Sequence, residues 1–311
     1  VRESSKQSFP EAMAKPDRKR QVAAALFFFA AGQAFVGQPL PATVSDGNSR
    51  LGRREGLLLS LAPLLEVLRQ EPAFADSLAG KKVVVLGGSG FVGQRICEGL
   101  VAQGAKVVSL SRSGAPNLAA PWVSQVSWQS GDVLSSNLDP IMNGAEAVIS
   151  AIGTIGTADD ETGNGATNEA AAKAAKKANA KRFVLVSASK DVAEAGVDAI
   201  FGPYVKGKRR AETAVANEFG ANGVILQPSF IYGGEEFSAT PPRVAGWYGE
   251  KVESLLSTGL FRSVASASPA ALRLALSPPL AVEDVAAAAV AGAAGVAQGT
   301  LGNHDAIKAA R

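Results

Sequence analysis

The sequence predicts an α/β protein: a doubly wound parallel sheet with helices on both faces and a small lobe toward the C-terminus. From Lys81 onward, short apolar runs of strand type alternate with helical patterns. Strands that follow one another through helices form a parallel sheet covered on both sides. The first strand run feeds directly into a glycine-rich turn, Lys82-Val-Val-Val-Leu-Gly-Gly-Ser-Gly-Phe-Val-Gly93, and then into a helix. A length of 311 residues allows one large or two ordinary domains, and 47% hydrophobic content is ample for a core.

Strands are expected at 83–86, 106–110, 126–129, 147–151, 183–187 and 223–227, with helices at 91–103, 167–179 and 204–219. The glycine turn comes first. Residues without a Cβ permit a positive φ, let the backbone approach a pyrophosphate, and let the helix pack on the strand. The unpaired amides and dipole of the helix N-terminus then favour the pyrophosphate's negative charge. Gly87, Gly88, Ser89, Gly90, Phe91, Val92 and Gly93 are therefore read as cofactor contacts. The placement between strand and helix argues for a dinucleotide over a purely structural turn.

The second strand normally ends on the residue that meets the adenosine ribose, and a carboxylate there would repel a 2′-phosphate. Here it ends Val107-Val-Ser-Leu-Ser111-Arg112-Ser113, without an acid. Arg112 can pair with a phosphate and Ser111 and Ser113 can donate to it, so NADP(H) is preferred, with NAD(H) the alternative. Asp132 and Val133 follow the third strand, where the aspartate could accept from the adenine amino group. Ala151, Ile152 and Gly153 follow the fourth, small enough to let the cofactor pass. Asn168, in Asn164-Gly-Ala-Thr-Asn168, opens the next helix. Each of these also suits a turn or cap. The helix at 169–179 is alanine-rich, which favours helix and close approach to the sheet. Its lysines at 173, 176 and 177 read as a solvated face.

Tyr204-Val-Lys-Gly-Lys208 is the second carrier of chemistry. Positions four apart share a helix face, so Tyr204 and Lys208 are expected to meet one ligand. The ammonium is expected to lower the phenol's pKa, letting Tyr204 pass a proton to a carbonyl oxygen while Lys208 holds the nicotinamide ribose. Ser187 or Ser189, at the end of the fifth strand, would orient that carbonyl; either might equally cap the following turn. Pro228 and Ser229, after the sixth, would pass beside the nicotinamide.

Other chemistries find little support. The net charge is +3, and much of the basic excess lies before residue 55, so nothing argues for nucleic acid. Cys97 is the one cysteine and reads as a small buried side chain in the first helix. His304 is the one histidine, which argues against a histidine triad or a metal cage.

Taken together, GGSGFVG, SLSRSG, GDV, YVKGK with Ala211-Glu212, QPSFIYG and Val282-Glu-Asp-Val-Ala286 resemble the atypical, extended-like branch of the short-chain dehydrogenase/reductase superfamily. The resemblance covers Lys81 to about Ala294 and is nearest to plastid NAD(P)-binding proteins of the plastoglobule type. An NAD(P)-binding accessory subunit of respiratory complex I and a fungal ubiquinone-biosynthesis protein are more distant. It implies a Rossmann-like fold with a substrate lobe, at about 234–279. Trp247, Tyr248, Leu255, Leu256, Leu260 and Phe261 of that lobe fall at helical spacing and read as core. By analogy, an apolar pocket there would take a quinone, isoprenoid or pigment.

Residues 1–80 show no core periodicity and read as targeting sequence and linker. Residues 1–12, opening on Val1, are taken as upstream of a start at Met13. A charged stretch from Met13 precedes an apolar run at 22–35, giving a signal peptide at about 13–34 that is too short to span a bilayer comfortably. Gly32-Gln-Ala-Phe-Val-Gly-Gln-Pro resembles the cleavage context of plastid presequences in algae with secondary plastids. Arg53-Arg54, the apolar run at 57–65 and Ala73-Phe74-Ala75 read either as a twin-arginine signal for the thylakoid lumen, within a transit segment at 35–75, or as an amphipathic linker helix. The expected location is a plastid (stroma, thylakoid surface, plastoglobule or lumen), with the mitochondrion as runner-up. No transmembrane helix is expected in the mature chain.

Two functions follow. One is an NADP(H)-dependent oxidoreductase acting on a lipid-like carbonyl. The other is a non-catalytic NADP(H)-binding subunit or stabilising factor of a membrane electron-transfer complex. An epimerase that recycles its cofactor is a third, without a nucleotide-sugar signature to support it.

Overall fold

The computed structural model describes residues 78–195, 198–234, 238–239, 242–243, 245–302 and 304–311. The expected signal, transit and lumenal segments lie outside the described residues. The body starts slightly earlier than the sequence indicates: Leu78 is buried, and its carbonyl accepts from the Lys81 amide.

Eleven strands appear among the described residues. Six are β1 (Lys82–Leu86), β2 (Lys106–Ser111), β3 (Ser127–Ser130), β4 (Ala147–Ser150), β5 (Arg182–Val186) and β6 (Gly223–Leu226). Four two-residue strands follow: β7 (Ile231–Tyr232), β8 (Ser238–Ala239), β9 (Pro242–Arg243) and β10 (Leu280–Ala281). The last is β11 (Gly299–Leu301). Seven form a parallel sheet in the order β11-β6-β5-β4-β1-β2-β3, while β7 pairs with β10 and β8 with β9. Val84 of β1 lies between Val108 of β2 and Val148 of β4, so the winding reverses at β1. A crevice opens beyond the carboxyl ends of the strands at such a reversal.

The helices are α1 (Phe91–Ala102), α2 (Asp139–Met142), α3 (Thr167–Lys177), α4 (Lys190–Glu194), α5 (Asp198–Phe219), α6 (Gly246–Leu256), α7 (Gly259–Ser266), α8 (Ala270–Ala275), α9 (Val282–Ala294) and α10 (His304–Ala309). Alternate strand residues separate two cores, as the two-residue period demands. Val83, Val85, Ile149, Val184 and Val224 pack against Ile96, Cys97 and Leu100 of α1 and Val285 and Ala289 of α9. Val84, Val148, Phe183 and Leu185 pack against Ala171 and Ala175 of α3 and Ala211 and Val215 of α5. Phe183 is fully buried and meets the Phe219 ring at 5.4 Å between centroids, a burial worth about 2–3 kcal/mol. Burial also pushes the Cys97 thiol up to about 12, leaving it a packing residue.

The expected strands and helices all form, with small differences in extent. Unforeseen was β11, an edge strand only three residues long. Also unforeseen was α9, whose Ala/Val sequence is apolar on nearly every face and so lacks a helical stripe. Helix α5 begins six residues before Tyr204 and runs through Pro203, a residue that usually marks a helix start.

The segment expected to form a lobe carries α6, α7 and α8. Leu256 is buried there, but Trp247 is 57% exposed and Leu255 39%. Trp247 sits edge-on to Tyr248 and beneath Lys251. The spacing that made these residues look like core reflects one buried face only. Among the described residues, no helix is long and apolar enough to cross a membrane.

Candidate functional site

The glycine turn has the geometry its sequence demands. Gly87 adopts φ +80°, a conformation strained for any residue with a Cβ. A Cβ on Gly93 would stand 2.1 Å from the Gly87 carbonyl oxygen, so only glycine lets α1 start against the turn. Gly90 caps α1 with no side-chain hydrogen bond, so no cap side chain covers the start of the helix. Gln94 Nε2 donates to the Ser89 carbonyl at 2.8 Å and steadies the loop.

A groove of about 350 Å³ opens in front of this turn. Of the residues expected at a cofactor, Gly87, Ser89, Gly90, Ser111, Arg112, Asp132, Val133, Ala151, Ile152 and Gly153 line it. Gly88 does not, because it packs toward Ser109 and Cys97. Phe91, Val92 and Gly93 form the first turn of α1 behind the glycine loop. Sequence reasoning did not assign Thr154, Gly163 or Thr167, which close the far wall.

The ribose end departs from expectation in one respect. Ser111 Oγ accepts from the Ser89 amide at 3.1 Å, tying the glycine loop to β2 rather than standing free. Ser113 bonds Ser89 through their hydroxyls at 2.9 Å. Arg112 is exposed and has no ion pair among the described residues. Asp132 Oδ1 accepts from the Leu134 amide at 2.9 Å, forming a local turn at the groove's edge. Asn168 also has an internal role. It accepts from Ser150 Oγ at 2.5 Å and donates to the Asn164 carbonyl at 2.7 Å.

Tyr204 and Lys208 share a face of α5, with Lys208 Nζ 5.8 Å from the centre of the tyrosine ring. The lysine is buried. It donates to the Val186 carbonyl at 3.0 Å and the Ile152 carbonyl at 3.4 Å. Burial pushes its pKa down to about 8; nearby Arg209 acts in the same direction and Glu212 against it. A Cβ on Gly153 would meet Asn164 Oδ1 at 2.9 Å and Lys208 Nζ at 3.1 Å, so the lysine stands directly behind the groove wall.

The expected tuning of the phenol is reversed. Burial, together with Asp160 and Glu212, raises the Tyr204 pKa, and Arg209 only partly offsets this. Lys208 gives its protons to main-chain carbonyls, and desolvation outweighs any help it gives a phenolate. Tyr204 is a protonated donor at neutral pH.

Asn164 carried no assigned role in the sequence. It lies in a π-helical turn (Thr162–Ala166) leading into α3, and such turns recur at functional positions. Its Nδ2 donates to the Thr154 and Asp160 carbonyls at 2.7 Å each, while Oδ1 is buried without a partner among the described residues. Gly207 makes this approach possible, because a Cβ there would meet Asn164 Cβ at 2.9 Å. The flanking glycines at 163 and 165 were the available signal.

Neither predicted serine lines the groove. Ser187 Oγ donates to Glu212 Oε1 at 2.5 Å, and Glu212 also binds Arg209 and Gln227. Ser189 Oγ accepts from the Asp191 amide and caps α4. Pro228 and Ser229 are likewise absent from the groove lining; Ser229 lines a separate cavity at the β6 and β11 end.

A glycine cradle at the point where the sheet reverses, with small residues on three strand ends, fits a dinucleotide. It defines an NAD(P)-binding domain of Rossmann-like fold. The chain belongs to the NAD(P)H-binding family, which matches residues 87–248. It is 37% identical over 213 residues to an uncharacterized chloroplastic protein of Arabidopsis thaliana, covering 68% of this chain and 70% of that one. Another relative, MIOREX complex component 2 of Saccharomyces cerevisiae, is 36% identical over 80 residues, 24% of this chain and 29% of its own length. The UDP-N-acetylglucosamine 4-epimerase of Methanobrevibacter ruminantium superposes with a TM-score of 0.52 at 19% identity, over 72% of this chain and 76% of that one. This last similarity is one of fold.

Proposed function

We propose that the protein is an NADP(H)-dependent oxidoreductase that acts on a lipid-like carbonyl (a quinone, isoprenoid or pigment) in the plastid, at a thylakoid or plastoglobule surface. The observation that carries it is the pair on α5: a protonated Tyr204 beside a buried Lys208 whose ammonium stands behind Gly153 at the groove wall. The absence of an acid at 111–113 and an Arg112 with no ion pair among the described residues support NADP(H) over NAD(H). The chloroplastic relative supports the compartment. Exposed Trp247, Leu255, Val264 and Leu272 in the lobe support an apolar partner.

When bound, the nicotinamide supplies hydride. Gly87, Ser89, Gly90 and the first turn of α1 would hold the pyrophosphate, and Arg112 the 2′-phosphate. Lys208 would anchor the nicotinamide ribose. Tyr204 gives its phenolic proton to the substrate oxygen and regains one from solvent. With Ser187 committed to Glu212 and Ser189 lining a separate cavity, Tyr204 is the donor assigned to the substrate. Replacing Tyr204 with Phe should lower turnover at least a hundredfold, a typical share for general acid catalysis, while dinucleotide affinity stays within about twofold. An unchanged rate in a coupled NADPH-oxidation assay would remove the reductase reading.

The position of both serines away from the groove favours a second reading, in which NADP(H) is a structural ligand of a subunit or assembly factor. The name of the yeast relative, a complex component, points the same way. Co-purification with a large complex that dissociates when the nucleotide is stripped would select this reading over the first.

A further inference from the structure

Over the carboxyl ends of β5, β6 and β11 lies a cavity of about 140 Å³ that shares no lining residue with the dinucleotide groove. Its walls include Ser189, Gln227, Ser229, Gly302, Asp191 and Asp305. Gln227 is 1% exposed, and its Nε2 donates to Glu212 Oε1 at 2.9 Å. A carboxylate can only accept, which fixes the amide's orientation and turns Oε1 away from Glu212. That oxygen is fully buried and has no partner among the described residues. It lies beside Gly302, where a Cβ would come within 3.3 Å of it. A buried acceptor left unpaired costs about 1–3 kcal/mol, so the cavity is built to receive a donor.

The rest of the wall narrows the chemistry. Ser189 is 5% exposed and accepts from the Asp191 amide, which leaves its hydroxyl proton without an acceptor among the described residues. Ser229 spends its proton on the Pro278 carbonyl at 3.0 Å and offers only lone pairs. Asp191 is neutralised by Arg273 at 2.6 Å, and Asp305 by Arg262. Arg262 and His304 also line the wall, but Arg262 is turned to Asp305 and His304 to Asp305 and Glu253, so an anion would still face Gln227 Oε1 and two carboxylates. A cation would face the Ser189 proton and two carboxylates that are already paired. A neutral polyol, with one hydroxyl donating to Gln227, another to Ser229 and either one accepting from Ser189, satisfies all three of these groups. The volume equals roughly four to five waters, the size of a three- or four-carbon polyol.

We propose that this cavity is a second binding site, distinct from the dinucleotide groove, for a neutral polyhydroxylated group. The ligand is a small polyol or the hydroxylated end of a larger molecule.

The test uses the full chain and three probes of similar size: glycerol, glycolate and 1,2-dimethoxyethane. The side-chain amide resonance of Gln227, identified by its loss in Gln227→Met, is followed by NMR. Glycerol should shift it saturably, and the anion and the donor-free ether should not. Ser189→Ala should weaken glycerol about fivefold, the loss of one hydrogen bond. Gly302→Val, which fills the cavity and leaves Gln227 in place, should abolish the shift. A longer glycoside binding more tightly than glycerol identifies the larger molecule as the source. Three results would overturn the proposal: equal response to all three probes, no saturation, or a crystal structure from glycerol-soaked crystals in which the cavity holds water alone. Calorimetric NADPH binding, measured in parallel, reports separately on the groove, so its failure counts against the dinucleotide reading and not against this cavity.

Discussion

At the β1, β2 and β4 end of the sheet, the groove is lined mostly by glycines and small side chains, with Arg112 and Asp132 its charged residues among those described. Over β5, β6 and β11, long side chains meet in pairs drawn from distant segments. Glu212 gathers Arg209, Ser187 and Gln227, and Arg273 reaches Asp191 across 82 positions. Beneath the lobe, Glu253 accepts from Tyr232 at 2.6 Å and also meets Lys308 and His304. One end positions a ligand by removing side chains, and the other by locking them together. The first should therefore fail when atoms are added, the second when they are taken away.

The largest effect should come from crowding the glycine end. Gly93→Ala puts a methyl 2.1 Å from a backbone oxygen, and something must move. We expect a loss of about 3 kcal/mol in urea unfolding and no measurable NADPH binding. Retained binding would mean that the turn can open without losing its purpose.

Deleting a charge at the other end should cost nearly as much in stability while leaving the groove intact. Glu253→Ala takes one carboxylate from each of Lys308 and His304 and the acceptor from the Tyr232 hydroxyl, and should cost about 3 kcal/mol, with NADPH affinity unchanged. Burial alone would raise the Glu253 pKa, but Lys308, Tyr232 and His304 together hold it below the usual carboxylate range. A carboxylate depressed in the folded state stabilises fully above its unfolded value of about 4.3, and that stability fades as pH falls through the folded value. The gap between parent and variant should therefore be constant near neutrality and close on acidification. A gap that widens in acid would contradict the assignment.

The smallest effect tests the ribose end alone. Arg112→Ala should weaken NADPH about tenfold and leave NADH unaltered. Equal losses for both coenzymes would remove the preference for the phosphorylated form.

This contrast also explains what could be read from the chain. The glycine turn, the strand ends at 111–113, 131–133 and 151–153, and the pair Tyr204 and Lys208 depend on contacts within a few residues, and spacing reports those directly. Ser187 and Ser189 could not be distinguished, because one is claimed by Glu212, 25 positions away, and the other by a neighbouring amide. The sign of the Tyr204 shift was misread for a related reason: spacing reveals the ammonium but not the burial that outweighs it. Strand β11 has three residues, too few for any period to show. Asn164 belongs to a wound turn whose neighbours are glycines, and its position behind Gly153 exists only once α5 has docked.

Lys308 touches Glu253 of α6 and Asp284 of α9, and Arg311 touches Asp284 as well. Helix α10 thus rivets the lobe to the body through two sunken acids. Any hinge that opens the lobe around a guest must either carry α10 along or part these contacts, so α10 sets how far the two halves can separate.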